Sequence, residues 1–169
     1  MSLRRAVKAL GFKDFIKMGF AVATAKKVAV SSLPKNETQR RNKVKEVGVI
    51  GAGQMGAGIA QVLATGGYSV TLVDQQESTL KKAQAIISKS IEKLHDKGKL
   101  TREQKDQAQH QIHYKLQLEE CHNSQLVIEA IPENEDLKTQ VLSRLNKITS
   151  PEAILATNTS SIPITRLGQ

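Results

Sequence analysis

An α/β fold built on a doubly wound parallel sheet is what this 169-residue sequence predicts, and three observations predict it. Short apolar runs alternate with longer stretches of helical spacing from Lys45 onward. Strands alternating with helices mean βαβ crossovers, which cover both faces of a parallel sheet. A glycine-rich turn joins the first apolar run to the first helical stretch. Finally, 39% hydrophobic and 24% charged residues are ordinary for a globular chain, which excludes collagen-like, low-complexity and wholly disordered classes.

The elements follow in order. Glu46-Val47-Gly48-Val49-Ile50 reads as a buried strand. Gly53 to Thr65 carries helical spacing through Met55, Ile59, Val62 and Leu63, and Gly66-Gly67 ends it. Val70-Thr71-Leu72-Val73 is the next strand and closes on Asp74. Leu80, Ala83, Ile86, Ile87, Ile91 and Leu94 form one stripe of a long amphipathic helix. Lys97-Gly98-Lys99 is a turn, and Thr101 with Gln104 makes a capping box for another helix. Ile112, Tyr114 and Leu116 alternate with His113 and Lys115, as in a half-exposed strand. Leu126 to Ile131 is a strand, Glu135 to Ile148 a helix and Ile154 to Thr157 a last strand. No internal repeat is visible.

Gly51-Ala52-Gly53-Gln54-Met55-Gly56 is a G-x-G-x-x-G that follows a strand and opens a helix, and Asp74 ends the next strand. That context is what a dinucleotide site requires. Gly51 permits the tight turn, Gly53 has no side chain to block a pyrophosphate, and Gly56 lets helix and strand pack closely. The helix N-terminus offers free N–H groups and partial positive charge to the diphosphate. Asp74 accepts hydrogen bonds from the adenosine ribose and repels a 2′-phosphate, which selects NAD over NADP. The fold is therefore expected to be Rossmann-type and, ending soon after its fifth strand, incomplete at the C-terminus.

Charge divides the chain in two. Residues 1–45 hold 12 basic and two acidic side chains, so they carry +10 of the net +9 and the remainder carries −1. A neutral body with 3% aromatics argues against nucleic-acid binding. Leu3, Ala6, Val7 and Leu10 lie on one helical face opposite Arg4, Arg5 and Lys8, the basic, amphipathic, acid-poor pattern of a mitochondrial transit peptide. A solvated basic tail is the bland alternative. The uncharged run from Met18 to Ala25 is far too short to span a bilayer, so no transmembrane segment is expected. Residues 1–43 thus read as leader and linker, and 44–169 as the dinucleotide-binding domain.

Three runs stand in a fixed order: Val49-Ile50-Gly51-Ala52-Gly53-Gln54-Met55-Gly56-Ala57-Gly58-Ile59-Ala60, then Val127-Ile128-Glu129-Ala130-Ile131-Pro132-Glu133-Asn134, then Ala156-Thr157-Asn158-Thr159-Ser160-Ser161-Ile162. Together they resemble the NAD-binding half of L-3-hydroxyacyl-CoA dehydrogenases, the β-oxidation enzymes that interconvert 3-hydroxyacyl-CoA and 3-ketoacyl-CoA. The first run is shared with many dinucleotide folds; the second and third, at this spacing, are more specific. The resemblance implies cofactor contacts from Gly51, Ala52, Gly53, Gln54, Met55, Gly56, Asp74, Gln75 and Asn158, with Glu133 and Lys138 near the nicotinamide half. It implies that Ser160 is catalytic, bonding the reacting oxygen of the substrate, and that Ser90 and Lys97 touch the CoA moiety. For Ser160 a helix cap before Pro163 is the plain alternative, and for Ser90 and Lys97 a solvated helix surface.

The resemblance also implies a catalytic His in a Gly-Leu-His-Phe-Phe-Asn-Pro-like run, a Glu that orients it and a helical domain that builds the dimer. All lie past Gln169 in that family, so this chain is expected to bind NAD and to turn over poorly alone. A repurposed domain serving as a non-enzymatic binding or assembly subunit is the rival reading. His95, His110, His113 and His122 do not stand at strand ends facing the glycine turn, and read as solvated residues rather than metal ligands. Cys121 is alone and reads as an idle thiol. An uncovered sheet edge is expected to make the chain self-associate.

Overall fold

The computed structural model describes residues 44–159 and 161–167; the basic leader lies outside them. Five strands form one sheet: β1 (Glu46–Ile50), β2 (Ser69–Val73), β3 (Ile112–Lys115), β4 (Leu126–Glu129) and β5 (Ile154–Thr157). Every neighbouring pair is parallel, in the order β3-β2-β1-β4-β5. The crossovers are α1 (Gln54–Thr65), the pair α2 (Glu77–Asp96) and α3 (Arg102–His110), a 3-10 turn η1 (Leu118–Cys121), and α4 (Glu135–Ile148); a short α5 (Ile164–Leu167) follows. The chain winds outward from β1 to β3, then returns to the other side of β1. Such a reversal opens a crevice beyond the carboxyl ends of the central strands. Among the described residues no helix is long and apolar enough to cross a membrane.

Strand side chains alternate between two cores because successive Cβ atoms point to opposite faces. Val47, Val49, Val70, Leu72, Leu126 and Ile128 meet α1, α2 and α3 through Ile59, Leu63, Leu80, Ile87 and Ala108. Ile50, Val73, Val127 and Leu155 meet η1 and α4 through Cys121, Leu142 and Leu145. Gly48 belongs to this second face, and a Cβ there would lie 2.8 Å from the Cys121 sulfur. The missing side chain is what lets η1 lie close on the central strand.

Helix boundaries obey their local chemistry. Thr101 accepts from the Gln104 amide while the Gln104 side chain accepts from the Thr101 amide, closing the expected capping box. Asn134 caps α4 by accepting from the Leu137 amide. One expectation is corrected in α2. Leu80, Ala83, Ile87 and Ile91 are buried at i, i+3, i+7 and i+11, but Ile86 falls off that stripe and is 60% exposed. Leu116, expected inside the third strand, lies just beyond β3 and is 49% exposed.

Candidate cofactor-binding site

The turn between β1 and α1 is made of backbone in close contact. Gly51 has φ +96°, a conformation L side chains rarely adopt, and a Cβ on it would sit 2.7 Å from the Ala130 carbonyl oxygen. A Cβ on Gly56 would sit 1.7 Å from the Gly51 carbonyl oxygen, so α1 can start here only without one. Gly53 differs: nothing lies within 4 Å of its missing Cβ. Its bareness serves no packing inside the chain, and the space it leaves opens into a cleft.

Asp74, at the end of β2, joins the turn from the other side. Its two carboxylate oxygens accept from the amides of Ala52 and Gln76, each at 2.9 Å. α1, unlike α3 and α4, has no side-chain cap and no acid in its first turn. Its N-terminal donors and positive dipole end are thus left for an anion arriving through the cleft. That cleft has a volume of about 910 Å³, and Gly51, Gly53, Gln54, Met55, Asp74 and Gln75 line it. Across from them stand Leu116, Pro132, Leu137, Val141 and Arg144, the last bonded to Glu119 at 2.5 Å. Of the four exposed large hydrophobic side chains among the described residues, Met55, Leu116 and Leu137 line this one cleft. An apolar crevice with a few convergent polar groups suits a planar base on a polar sugar phosphate. Uncapped helix, open Gly53 and carboxylate at the second strand end fit a dinucleotide.

The other expected residues fall elsewhere. Glu133, in the loop between β4 and α4, and Asn158, just past β5, lie outside the wall of the cleft. The Glu133 carboxylate accepts from the Thr159 hydroxyl, from the Ser161 hydroxyl at 2.7 Å and from the Ser161 amide at 3.4 Å. Those hydroxyls, then the Lys138 ammonium 3.3 Å away, hold its carboxyl down at about 2. Lys138 is not on the cleft wall: it is fully buried, with its ammonium 2.8 Å from Glu129. Ser90 and Lys97 lie in the later turns and at the C-terminal cap of α2, and Ser90 is about 20 Å along the helix from Glu77 at 1.5 Å per residue. Ser160 lies outside the described residues.

Four groups near the site escaped the sequence reading: Glu129, Thr157, Thr159 and Arg144. Glu129 carries a legible signal, being the one charge in the apolar run Leu126 to Ile131. Among the described residues no histidine lines the cleft; His110 and His122 accept or donate locally at the Asp106 and Glu119 carbonyls. His95 meets Glu92 and Asp96 at the far end of α2, where Lys105 already pairs with Glu92 at 3.2 Å. Cys121 is fully buried, and burial pushes its thiol up to about 12.

The sequence and fold of this chain resemble those of known proteins. Residues 46–169 match the family described as "3-hydroxyacyl-CoA dehydrogenase, NAD binding domain". A probable 3-hydroxybutyryl-CoA dehydrogenase of Deinococcus radiodurans is 48% identical over 120 residues, covering 71% of this chain and 43% of that protein. The mitochondrial hydroxyacyl-coenzyme A dehydrogenase of Sus scrofa is 37% identical over 156 residues, covering 89% of this chain and 50% of its own length. The crystal structure of FadB2 from M. tuberculosis superposes with a TM-score of 0.71 at 39% identity, over 73% of this chain and 44% of that one. The chain thus spans half or less of the length of these relatives. It belongs to the 3-hydroxyacyl-CoA dehydrogenase family, whose NAD-binding domain it carries.

Proposed function

We propose that this chain is the coenzyme-holding part of an NAD-dependent 3-hydroxyacyl-CoA dehydrogenase acting in fatty-acid β-oxidation. The observation that carries the reading is the uncapped glycine turn with the Asp74 carboxylate bonded to it, together lining one cleft. Bound NAD supplies the hydride acceptor, a capacity of its nicotinamide ring. The chain's own residues bind and orient. The amides at the start of α1 and the bare Gly53 take the diphosphate, and Asp74 and Gln75 take the adenosine ribose. Glu133, Lys138 and Asn158 shape the nicotinamide side, and Ser160 bonds the reacting oxygen of an acyl-CoA.

Ser90 and Lys97 are proposed contacts for the CoA tail, whose phosphates attract an ammonium. The intact enzyme is proposed to be a homodimer of the mitochondrial matrix. The basic amphipathic leader supports that address, as does the match to the mitochondrial pig enzyme, which covers more of the chain than residues 44–169 can supply.

The test is a fluorescence titration of the folded chain with NADH and NADPH. NADH is expected to bind at least tenfold more tightly, and Asp74→Ala to narrow that ratio. Absence of NADH binding, or a preference for NADPH, defeats the reading. Incubation with acetoacetyl-CoA and NADH is expected to give negligible turnover by this chain, since no histidine among the described residues lines the cleft to exchange the hydroxyl proton.

A further inference from the structure

β4 and β5 end with two polar residues that the register places side by side, Glu129 against Thr157. Both are fully buried on the face covered by α4. Lys138 stands on the buried stripe of α4 with Leu142 and Leu145, a position where a leucine would satisfy the packing. The Glu129 carboxylate is saturated. One oxygen accepts from the Lys138 ammonium at 2.8 Å and the Ile131 amide at 2.7 Å; the other accepts from Lys138 at 3.0 Å and the Thr157 hydroxyl at 2.5 Å.

The chain of contacts continues outward. The Lys138 ammonium also donates to the Ile131 carbonyl at 3.2 Å and lies 3.3 Å from Glu133. Glu133 in turn holds the Thr159 and Ser161 hydroxyls. One unbroken polar path therefore runs from a buried carboxylate to Thr159 and Ser161 beyond β5. It ties together two strands, one helix and two loops.

Stability alone does not account for it. Removing two charges from water is costly, and a buried ion pair is often matched or bettered by well-packed apolar side chains. What such a network does confer is a single geometry, because every member has its partners only in one arrangement. Asp74 stands on one flank of the glycine turn and this path on the other, so a dinucleotide anchored at Asp74 and α1 extends its second half toward the path. We propose that Glu129 is a positioning residue: through Lys138 it sets Glu133 with the Thr159 and Ser161 side chains, and so the pose of the nicotinamide half of the coenzyme. The inference rests on the coenzyme reading above.

Two variants of this chain test it, Glu129→Gln and the double apolar variant Glu129→Leu/Lys138→Met, each titrated with NADH and with ADP-ribose, which lacks the nicotinamide. Glu129→Gln is expected to weaken NADH roughly tenfold, the scale of one lost charge-assisted hydrogen bond, while ADP-ribose changes by less than about twofold. The double variant is expected to melt close to the parent chain and still to show the NADH loss. A purely structural pair predicts instead that NADH and ADP-ribose weaken together. Unchanged NADH affinity in either folded variant, or equal losses for both ligands, overturns the proposal. A parent chain that binds neither ligand overturns the coenzyme reading itself, and this inference with it.

Discussion

The two flanks of the sheet's carboxyl edge are built of different material. Around β1 and β2 the backbone does the holding: a glycine at φ +96°, helix-end amides and carbonyls within Cβ distance of one another. Around β4 and β5 the holding falls to side chains, an ion pair and a chain of hydroxyls. A backbone-built turn is sensitive to any added carbon, here with the Asp74 carboxylate bracing it. A site built from side chains tolerates small steric changes and responds to ionisation. The division suits a ligand whose bridging diphosphate is always charged and whose nicotinamide half must be oriented.

The largest test of this contrast is Gly56→Ala. A methyl 1.7 Å from the Gly51 oxygen forces α1 off its strand, and a loss of about 3 kcal/mol or more is expected, near 10 °C in melting temperature by calorimetry. Gly53→Ala should separate binding from folding. Its methyl meets nothing within the chain, so melting is expected to move by less than about 3 °C, while NADH affinity falls at least tenfold because the carbon occupies the phosphate path. If Gly53→Ala melts as low as Gly56→Ala, the two glycines do the same work and the contrast fails.

Glu133 reports on the side-chain flank. Its carboxyl, held at about 2, sits below the ordinary 4.5, so its hold on Thr159 and Ser161 is complete above 4.5 and disappears as pH falls toward 2. Protection of the Ser161 amide, its exchange rate relative to the intrinsic rate at each pH, is expected to fall across that window, and Glu133→Gln to remove the dependence. The smallest effect belongs to Cys121. With its thiol near 12 and no exposed surface, it should resist a thiol reagent at pH 8 in the folded chain and react once in denaturant.

Much of the backbone was legible because periodicity is local. The strand over Glu46–Ile50, the helix over Glu135–Ile148 and the Thr101–Gln104 capping box are each determined by neighbours within a turn or two. The glycine motif was legible for the same reason, its constraint being one tight turn. Ile86 misled because apolarity alone does not say which side of a stripe a residue falls on; an offset of one position from Ile87 turned it to solvent. The polar path was the hard part. Lys138 and Glu129 are nine residues apart, Thr157 lies 28 from Glu129, and Ser161 lies 28 from Glu133. Such partners meet only once α4 has docked on the sheet. A carboxylate inside an apolar strand and a lysine on a leucine stripe each looked like an isolated exception, and pairing them required the fold.

The central place of β1 has a consequence for biosynthesis. Its partner β2 follows closely, but β4 is complete only about 80 residues after β1 ends. At 5–20 residues per second a ribosome needs ~4–16 s to deliver it. For that interval the nascent chain carries a strand with one edge bare, a natural client for whatever shields growing polypeptides.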